Sequence, residues 1–324
     1  MTPAPIVSRD VREGGRWTVA QSLKNDVLYA LVRTLLFVLR AFPRRVLRAL
    51  GRALGALAFV LLRRERRTAL TNLGRAFPAS SDAERASVAR RSFCELGEHL
   101  GDAVFSLSPR VRVDLLELEA SGLRALRDAL AEGRGVVFAS AHLGPWERVA
   151  ASLVAAGLPF VTVAREAYDP RLTALYDRLR RERGVESIYR GEPGAGARML
   201  RALRRGAMLG VPMDLRTRAP STLVPFLGTP APTPTGPARL ALRTGAAVIV
   251  GTATRRDDSR EASLTVSFTR IPTAGLAPDD AGVQTLTRRL NDELSDRIAA
   301  MPEGWVWMHD RWAPADAVGL AMRP

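Results

Sequence analysis

Cysteine, lysine and histidine are scarce in this chain of 324 residues. The single cysteine, Cys94, excludes a disulfide framework, and the single lysine, Lys24, lies outside any glycine-rich phosphate loop. The three histidines, His99, His142 and His309, are far apart and none has the spacing of a zinc-binding motif. We therefore expect neither a metal nor another cofactor.

The N-terminal part of the chain also lacks an apolar run long enough to cross a bilayer. Its longest uncharged stretch is Ala53 to Leu62, far short of the ~20 residues that a spanning helix needs. Residues 1 to 26 are polar and lack the apolar centre of a secretory signal peptide. We expect the part of the chain that follows the N-terminal helices to remain on the cytoplasmic side of the membrane.

Positive charge is abundant, with a formal net charge of +15 that is carried almost wholly by arginine. Such an excess over acidic residues predicts an anionic partner: nucleic acid, a phospholipid surface, a phosphorylated substrate or an acidic carrier protein. The sequence contains no helix-turn-helix, zinc finger or basic sheet with interleaved aromatics, so we expect no nucleic-acid partner.

Most of this charge lies beside apolar helices near the N-terminus. Residues 27 to 42 are strongly apolar, and after Pro43 leucines recur every three or four positions opposite a stripe of arginines. These positions are Leu47, Leu50, Leu54, Leu57 and Leu61, with Arg44, Arg48 and Arg52. The pattern predicts a basic amphipathic hairpin that lies on an anionic membrane surface and ends in the cluster Arg63, Arg64, Arg66 and Arg67. The alternative is an ordinary helical hairpin that covers the core.

Beyond residue 109 the pattern changes to alternating strands and helices. Strands are predicted at 112 to 119, 135 to 141, 160 to 164, 185 to 189, 207 to 213, 246 to 254 and 262 to 271. Helices are predicted at 121 to 132, 146 to 156, 170 to 182, 194 to 205, 236 to 244 and 281 to 300, and a loop at Thr229 to Pro237. This order predicts an α/β fold in which helices flank a mixed central sheet, with a helical membrane-associating extension.

The division of the chain follows from these patterns. We predict a polar N-terminal segment at 1 to 26, a helical membrane-associating region at 27 to 108, the α/β domain at 109 to 314 and a C-terminal tail at 315 to 324. Within the helical region, Ser81 and Glu84 have the spacing of a capping box and predict the start of a helix.

A histidine and a carboxylate lie five positions apart at a predicted junction between strand and helix. His142 follows the apolar strand at 135 to 141, and Glu147 falls in the first turn of the next helix. A carboxylate there can hold one imidazole nitrogen while the other takes a proton from a substrate hydroxyl. We therefore predict His142 as a general base that Glu147 orients. Chance pairing is the alternative, and so is a hydrolase that uses Ser140 with His142.

The motif from His142 to Glu147 resembles the H-x4-D/E signature of the glycerolipid acyltransferase superfamily, and Gly144 and Trp146 narrow it to the late acyltransferases of lipid A biosynthesis. Further blocks agree in order from about residue 25 to 313: Arg67, Asn72-Leu73, Phe77-Pro78, Arg165 with Asp169-Pro170, Gly206 to Asp214, Phe226-x-Gly228 with Pro230, Gly236-Pro237-Ala238, Thr244-Gly245-Ala246, and the tail from Pro302 to Trp312 with Trp305, Trp307, His309 and Arg311.

This resemblance implies transfer of a fatty acyl group from an acyl carrier protein thioester to a hydroxyl of a lipid A precursor, on the cytoplasmic face of the bacterial inner membrane. Arg165, Asp214, Gly144 and Trp146 are then candidates for binding substrate or the oxyanion, with Asp214 at the end of a predicted strand. A solvated loop arginine and a capping aspartate are the alternatives for two of them. Relatives that acylate phosphoinositol mannosides, or that use coenzyme A, leave donor and acceptor open.

Overall fold

The N-terminal part of the protein is helical in our computed structural model, which describes residues 15–39, 41–105, 115–255 and 264–312. Four helices come first: α1 (Val19–Leu39), α2 (Arg44–Leu61), α3 (Arg63–Ala76) and α4 (Asp82–Phe105). The predicted capping box is present before α4, where the Ser81 amide donates to Glu84 and the Glu84 amide donates to the Ser81 hydroxyl. Among the described residues, no helix is both long and apolar enough to cross a membrane.

The rest of the chain forms the predicted α/β domain. Its strands are β1 (Glu117–Leu118), β2 (Val136–Ser140), β3 (Phe160–Ala164), β4 (Glu186–Tyr189), β5 (Met208–Pro212), β6 (Ser221–Phe226), β7 (Thr229–Pro234), β8 (Ala247–Arg255) and β9 (Leu264–Arg270). Its helices are α5 (Ala120–Ala131), α6 (Trp146–Ala155), α7 (Pro170–Glu182), α8 (Ala195–Arg204), α9 (Gly236–Thr244) and α10 (Asp280–Ala300). Parts of the first and last predicted strands fall on residues 106–114 and 256–263, outside the described ranges.

The central sheet has seven strands in the order β1-β9-β8-β2-β5-β3-β4. Its strand pairs are parallel except for β8 with β9, so the predicted mixed sheet is confirmed. Side chains alternate across it: Val137 and Ala139 of β2 pack in one apolar cluster, and Val136 and Phe138 in another. Helices bury both faces, and the carboxyl ends of the parallel strands lie along one edge, where open α/β sheets bind ligands.

The prediction of a loop at Thr229 to Pro237 is wrong. Residues Thr229–Pro234 form strand β7, which pairs antiparallel with β6 in a separate two-stranded sheet. Prolines at every second position, Pro230, Pro232 and Pro234, argued against a strand because proline cannot donate to a ladder. In a two-stranded sheet every strand has one unpaired edge. The backbone nitrogens along that edge need no hydrogen-bond partner, so every second residue can be proline.

Helix α2 has the predicted amphipathic pattern, but most of its leucines point away from the protein, unlike those of a helix that covers a core. Leu47, Gly51 and Gly55 are buried against α4, while the leucines at 50, 54, 57 and 61 are exposed. The arginine stripe faces α4: Arg44 donates to Asp102 at 2.7 Å, and Arg48 and Arg52 donate to Glu98 at 2.8 and 2.5 Å. These three arginines are therefore engaged in ion pairs within the protein.

Glycine allows α2 and α4 to pack this closely. A Cβ atom on Gly51 would lie 2.1 Å from the Gly97 carbonyl oxygen, and one on Gly55 would lie 2.1 Å from the carbonyl oxygen of Phe93. Real Cβ contacts are not so short, so the two backbones touch only because these side chains are missing.

Candidate active site

Strand register brings the candidate base to a carboxylate from another part of the chain. Ser140 of β2 is paired with Pro212 of β5 in parallel register. Two positions further on, the strands are followed by His142 and Asp214, which therefore meet at the carboxyl edge of the sheet. His142 Nδ1 lies 3.0 Å from Asp214 Oδ1, and the His142 amide donates to Asp214 Oδ2 at 2.8 Å.

Asp214 is completely buried and is fixed by a third donor. The indole Nε1 of Trp305 donates to Asp214 Oδ2 at 2.7 Å. The carbonyl of Trp305 accepts in turn from the Ser92 hydroxyl of α4 at 2.6 Å. The C-terminal tryptophan segment thus connects the helical region to the carboxylate, and the carboxylate holds the imidazole in one orientation.

Burial and charge oppose each other at His142. Burial lowers the pKa of its imidazole. The charge of Asp214, the hydrogen bond to Asp214 and the charge of Glu147 together raise this pKa by more than burial lowers it, so the net pKa lies above the ordinary 6.5. For Asp214, burial raises the pKa, but the charge of His142 and the bonds from His142 and Trp305 outweigh it and lower the pKa below 3.8. The pair therefore favours an ionised carboxylate whose partner imidazole can accept a proton.

Glu147, which was predicted to orient His142, is bonded to an arginine of α7 in the structure. Glu147 lies in the first turn of α6, as expected, but its carboxylate pairs with Arg180 of α7: Oε1 accepts from Nη2 at 2.6 Å and Oε2 from Nε at 3.2 Å. Of the two imidazole nitrogens of His142, Nδ1 is bonded to Asp214, and a role for Glu147 in orienting the base stays a prediction. Glu147 acts on His142 through charge and fixes α7 beside the site.

Gly144 and Trp146 shape the turn between His142 and α6. Gly144 has φ +62°, a conformation that favours glycine, and its amide donates to the Gly304 carbonyl at 2.9 Å. Leu143 forms a β-bridge with Trp305, so the tail contacts this turn at two neighbouring residues. The Trp146 ring packs edge-on against the imidazole, with ring centroids 5.1 Å apart. These contacts, with Nδ1 bonded to Asp214, leave Nε2 as the nitrogen available to a substrate.

Two cavities meet at this imidazole. The first, of about 680 Å³, runs between α2, α4 and α7 and is lined mainly by apolar groups, among them Leu54, Ala58, Phe93, Leu96 and Leu100. The second, of about 490 Å³, lies over the carboxyl ends of β2, β5 and β3 and is lined by Arg165, Arg180, Arg190 and Arg216. His142, Trp146, Glu147, Arg165 and Arg180 line both. Both cavities are largely apolar, and four arginines line each of them. Among the described lining residues, the first cavity also has three acids, Glu65, Asp102 and Glu147, whereas the second has only Glu147, so the second is the more basic of the two.

The sequence-predicted residues occupy this junction to different degrees. Asp214 contacts His142 directly, Trp146 packs on it, and Gly144 shapes the turn after it. Arg165 follows β3 and is exposed at the mouth of both cavities. No three His, Cys, Asp or Glu side chains in the described ranges converge as a metal-binding set.

Two functional contacts were missed from the sequence. Trp305 was not predicted to contact the site, yet it donates to Asp214, and Arg180 was not recognised as the partner of Glu147. The indole N–H of a buried tryptophan needs an acceptor, which is a signal for the first contact. No local signal marks Arg180, because its pairing depends on how α7 packs against α6.

A buried histidine–aspartate pair at a strand edge, where two cavities meet, is the arrangement of an enzyme that uses histidine as a general base. Residues 21–313 match the family described as bacterial lipid A biosynthesis acyltransferase. The chain belongs to this family, which places it among acyltransferases.

Curated relatives agree with this assignment at low identity. The chain is 28% identical over 199 residues to phosphatidylinositol mannoside acyltransferase of Mycobacterium tuberculosis, a match that covers 61% of this chain and 60% of that protein. It is 27% identical over 284 residues to lipid A biosynthesis lauroyltransferase of Escherichia coli, covering 86% of this chain and 88% of the relative. The chain thus spans about 60% of the length of the mycobacterial relative and most of the length of the other.

Proposed function

We propose that the protein transfers a fatty acyl group from an acyl carrier protein thioester to a hydroxyl of a lipid A precursor or a related membrane lipid. The observation that carries this proposal is the His142–Asp214 pair, placed where two largely apolar cavities meet, the second of which has an excess of arginine over acid among its described lining residues. An acyl chain fits the first cavity by its chemistry, and the polar head of a lipid acceptor or the carrier arm fits the second. Family membership supports the reaction class.

The chemistry follows from the position of the imidazole. His142 Nε2 takes the proton of the acceptor hydroxyl as its oxygen attacks the thioester carbonyl. The resulting oxyanion is stabilised by a donor, for which Arg165 at the mouth of both cavities is the candidate. Collapse forms the ester, breaks the carbon–sulfur bond and returns the proton from the imidazolium to the departing thiolate. Asp214 keeps Nδ1–H bonded throughout, so the charge on the imidazolium is compensated.

The Glu147–Arg180 ion pair has a positioning role in this scheme. It connects the first turn of α6 to α7 and lies between the two cavities. Burial lowers the pKa of Arg180, but the bond and charge of Glu147 raise it above its ordinary value, so Arg180 stays charged. We infer that it sets the width of the apolar cavity next to the reacting carbonyl.

The exposed apolar surface of the N-terminal helices supports a membrane location. Helix α1 buries none of its residues, and Leu23, Leu31 and Phe37 on it are all more than half exposed. Leu57 and Leu61 of α2 are exposed to a similar degree. We propose that both helices lie in the head-group region of the cytoplasmic face of the inner membrane, with Arg63, Arg64 and Arg67 towards anionic lipid.

A purified-enzyme assay tests the reaction. Wild-type protein is supplied with an acyl carrier protein thioester or the matching coenzyme A thioester, with a lipid A precursor or a phosphatidylinositol mannoside, and products are identified by mass spectrometry. We expect an acceptor heavier by one acyl group, and a loss of about a hundredfold to ten-thousandfold in His142→Ala. Undiminished transfer by this variant would remove His142 as the base. Release of free fatty acid without acceptor would support a hydrolase instead, although neither hydrogen bond of His142 involves Ser140.

The pH dependence tests the partner of the base. Because only neutral His142 accepts a proton, the rate rises with pH through a pKa that Asp214 holds above 6.5. In Asp214→Asn the burial that lowers this pKa is opposed only by the charge of Glu147, so the acid limb of kcat/KM should move to lower pH while the plateau falls at least about tenfold. Asp296→Asn, which changes an exposed aspartate of α10, is the matched control. An unmoved acid limb would separate Asp214 from the titration of His142.

A further inference from the structure

Asp214, the partner of the candidate base, has hydrogen bonds that are divided unequally between its two oxygens. Oδ1 lies 3.0 Å from Nδ1 of His142, while Oδ2 accepts from the His142 amide at 2.8 Å and from the Trp305 indole at 2.7 Å. A carboxylate can rotate about its Cβ–Cγ bond, and two donors on Oδ2 keep Oδ1 directed at the imidazole. Among the described residues, Trp305 is the group outside His142 that donates to this carboxylate.

Trp305 is itself held from several sides, which gives its indole a fixed position. Its carbonyl accepts from the Ser92 hydroxyl of α4 at 2.6 Å, and its backbone forms a β-bridge with Leu143, next to the base. Trp305 is 1% exposed, and its ring packs edge-on against Trp307 with ring centroids 4.7 Å apart. The position of the Asp214 carboxylate therefore depends on the tail and, through Ser92, on helix α4.

Trp305 and Trp307 differ in the acceptors of their indole N–H groups. Both are buried in the same aromatic cluster, but Nε1 of Trp307 donates to the Pro302 carbonyl at 2.6 Å, within the tail itself. Nε1 of Trp305 donates to a carboxylate 91 positions away in the sequence. A hydrogen bond to an ionised group is stronger than one between neutral groups. Comparison of the two tryptophans thus separates the effect of aromatic packing from that of the donor to Asp214.

The indole also stabilises the charge of the carboxylate. Burial raises the pKa of Asp214, but the charge of His142 and the bonds from His142 and Trp305 bring it below 3.8. Without the indole, the negative charge of the pair loses a donor, so the pair binds a proton more readily, whichever group takes it. Other charged or titratable groups near the pair come from several elements: Glu147 of α6, Arg180 of α7, Arg165 after β3, Arg216 after β5, and His309 and Arg311 of the tail.

We propose that Trp305 is a positioning residue that holds the Asp214 carboxylate in the orientation and charge state that His142 needs, and that Ser92 of α4 holds Trp305 in turn. Trp305 lines neither of the two cavities at the site, so it acts through Asp214 and not on a substrate. This inference rests on the proposed role of His142 as the base. It also gives the helical region a part in the site, because Ser92 belongs to that region.

NMR titration of the histidine side chains tests this inference without turnover. Burial lowers the pKa of His99 to about 4 and that of His309 below 6.5, so of the three histidines His142 is expected to titrate above 6.5. In Trp305→Phe the pKa of His142 should rise by about 0.5–1 pH unit, since a donor to the negative charge is lost. Trp307→Phe is the matched control, because it removes a buried indole with another acceptor, and it should leave this pKa unchanged.

The pH profile of acyl transfer gives a second measurement. In Trp305→Phe the acid limb of kcat/KM should move to higher pH, opposite to its movement in Asp214→Asn. At the plateau kcat should fall about tenfold with KM little changed. Ser92→Ala should move the limb in the same direction by less, and Ser87→Ala, which changes an exposed serine of the same helix, should not move it.

The two measurements separate this inference from the proposed function. A raised pKa of His142 in Trp305→Phe, in a protein without acyl transfer, would retain the positioning of Asp214 and overturn the proposed reaction. Acyl transfer with an unmoved pKa and acid limb in Trp305→Phe, or equal movement in Trp307→Phe, would overturn the inference. Should Trp305→Phe fail to fold, Ser92→Ala decides: a pKa of His142 and an acid limb like those of Ser87→Ala would overturn it.

Discussion

Helices α2 and α10 have the same kind of apolar periodicity, but only α10 buries its apolar stripe, whereas α2 buries Leu47, Gly51 and Gly55. In α10 the apolar stripe, Val283, Leu286, Leu290, Leu294 and Ile298, is buried in the core of the domain. In α2 most of the leucines are exposed, and the polar stripe of arginines faces the protein, where it pairs with Glu98 and Asp102 of α4. Periodicity therefore predicts both helices but does not decide which face is turned outward.

The partner helix decides the orientation of α2. Helix α4 offers acidic side chains and glycines to α2, so the arginines find opposite charges and the backbones approach at Gly51 and Gly55. The leucines are left for another apolar medium, which is how a helix on a membrane surface is built. Reversing the arginines to glutamate would place like charges against Glu98 and Asp102 and break the hairpin, so that change does not test lipid binding.

The largest difference should appear when one leucine of each helix is truncated. Leu290→Ala leaves a cavity in the core and should lower the free energy of unfolding by about 2–5 kcal/mol. Leu50→Ala changes a side chain that is 45% exposed and should cost less than about 0.5 kcal/mol in water. Denaturant unfolding of both variants measures the difference. Similar losses in the two would mean that the outer face of α2 is covered within the protein.

The packing of α2 on α4 gives the next effect. Gly55→Val requires the two backbones to separate, because its Cβ would lie 2.1 Å from the Phe93 carbonyl oxygen, and should cost ~3 kcal/mol or more. Gly74→Ala, in helix α3, is the control: its Cβ would meet nothing within 4 Å, and alanine should stabilise the helix slightly. Thermal unfolding compares the two. A Gly55→Val protein as stable as wild type would contradict the close contact between these helices.

The elements of the sheet were largely predictable, because strands and helices with local periodicity reveal themselves in sequence. Strands β2, β3 and β5 lie within a residue of the predicted bounds. The hairpin of β6 and β7 was not predictable, since its alternate prolines are typical of loops and its pairing depends on a partner strand. Local composition can indicate that one segment forms a strand, but the pairing of two strands depends on both of them.

The candidate site shows the same limit. His142 was found because its strand-end position is visible locally, and Asp214 was placed at another strand end. Which carboxylate holds the imidazole depends on the pairing of β2 with β5, which no local pattern contains. Glu147, nearest in sequence, pairs with Arg180 instead. Proximity in sequence was thus a poor guide to contact across the sheet.

The smallest effect belongs to the outer face of α2 in the presence of lipid. Leu50→Gln should leave stability in water nearly unchanged but weaken sedimentation with phosphatidylglycerol-containing vesicles by about tenfold, since burying one leucine contributes about 1.5 kcal/mol. Leu223→Gln, which changes an exposed leucine of β6, is the matched control and should bind vesicles like wild type. Equal binding by all three proteins would show that the leucines of α2 do not enter lipid. Weakened binding by Leu50→Gln alone would show that the face that α4 leaves uncovered is the face that meets the membrane.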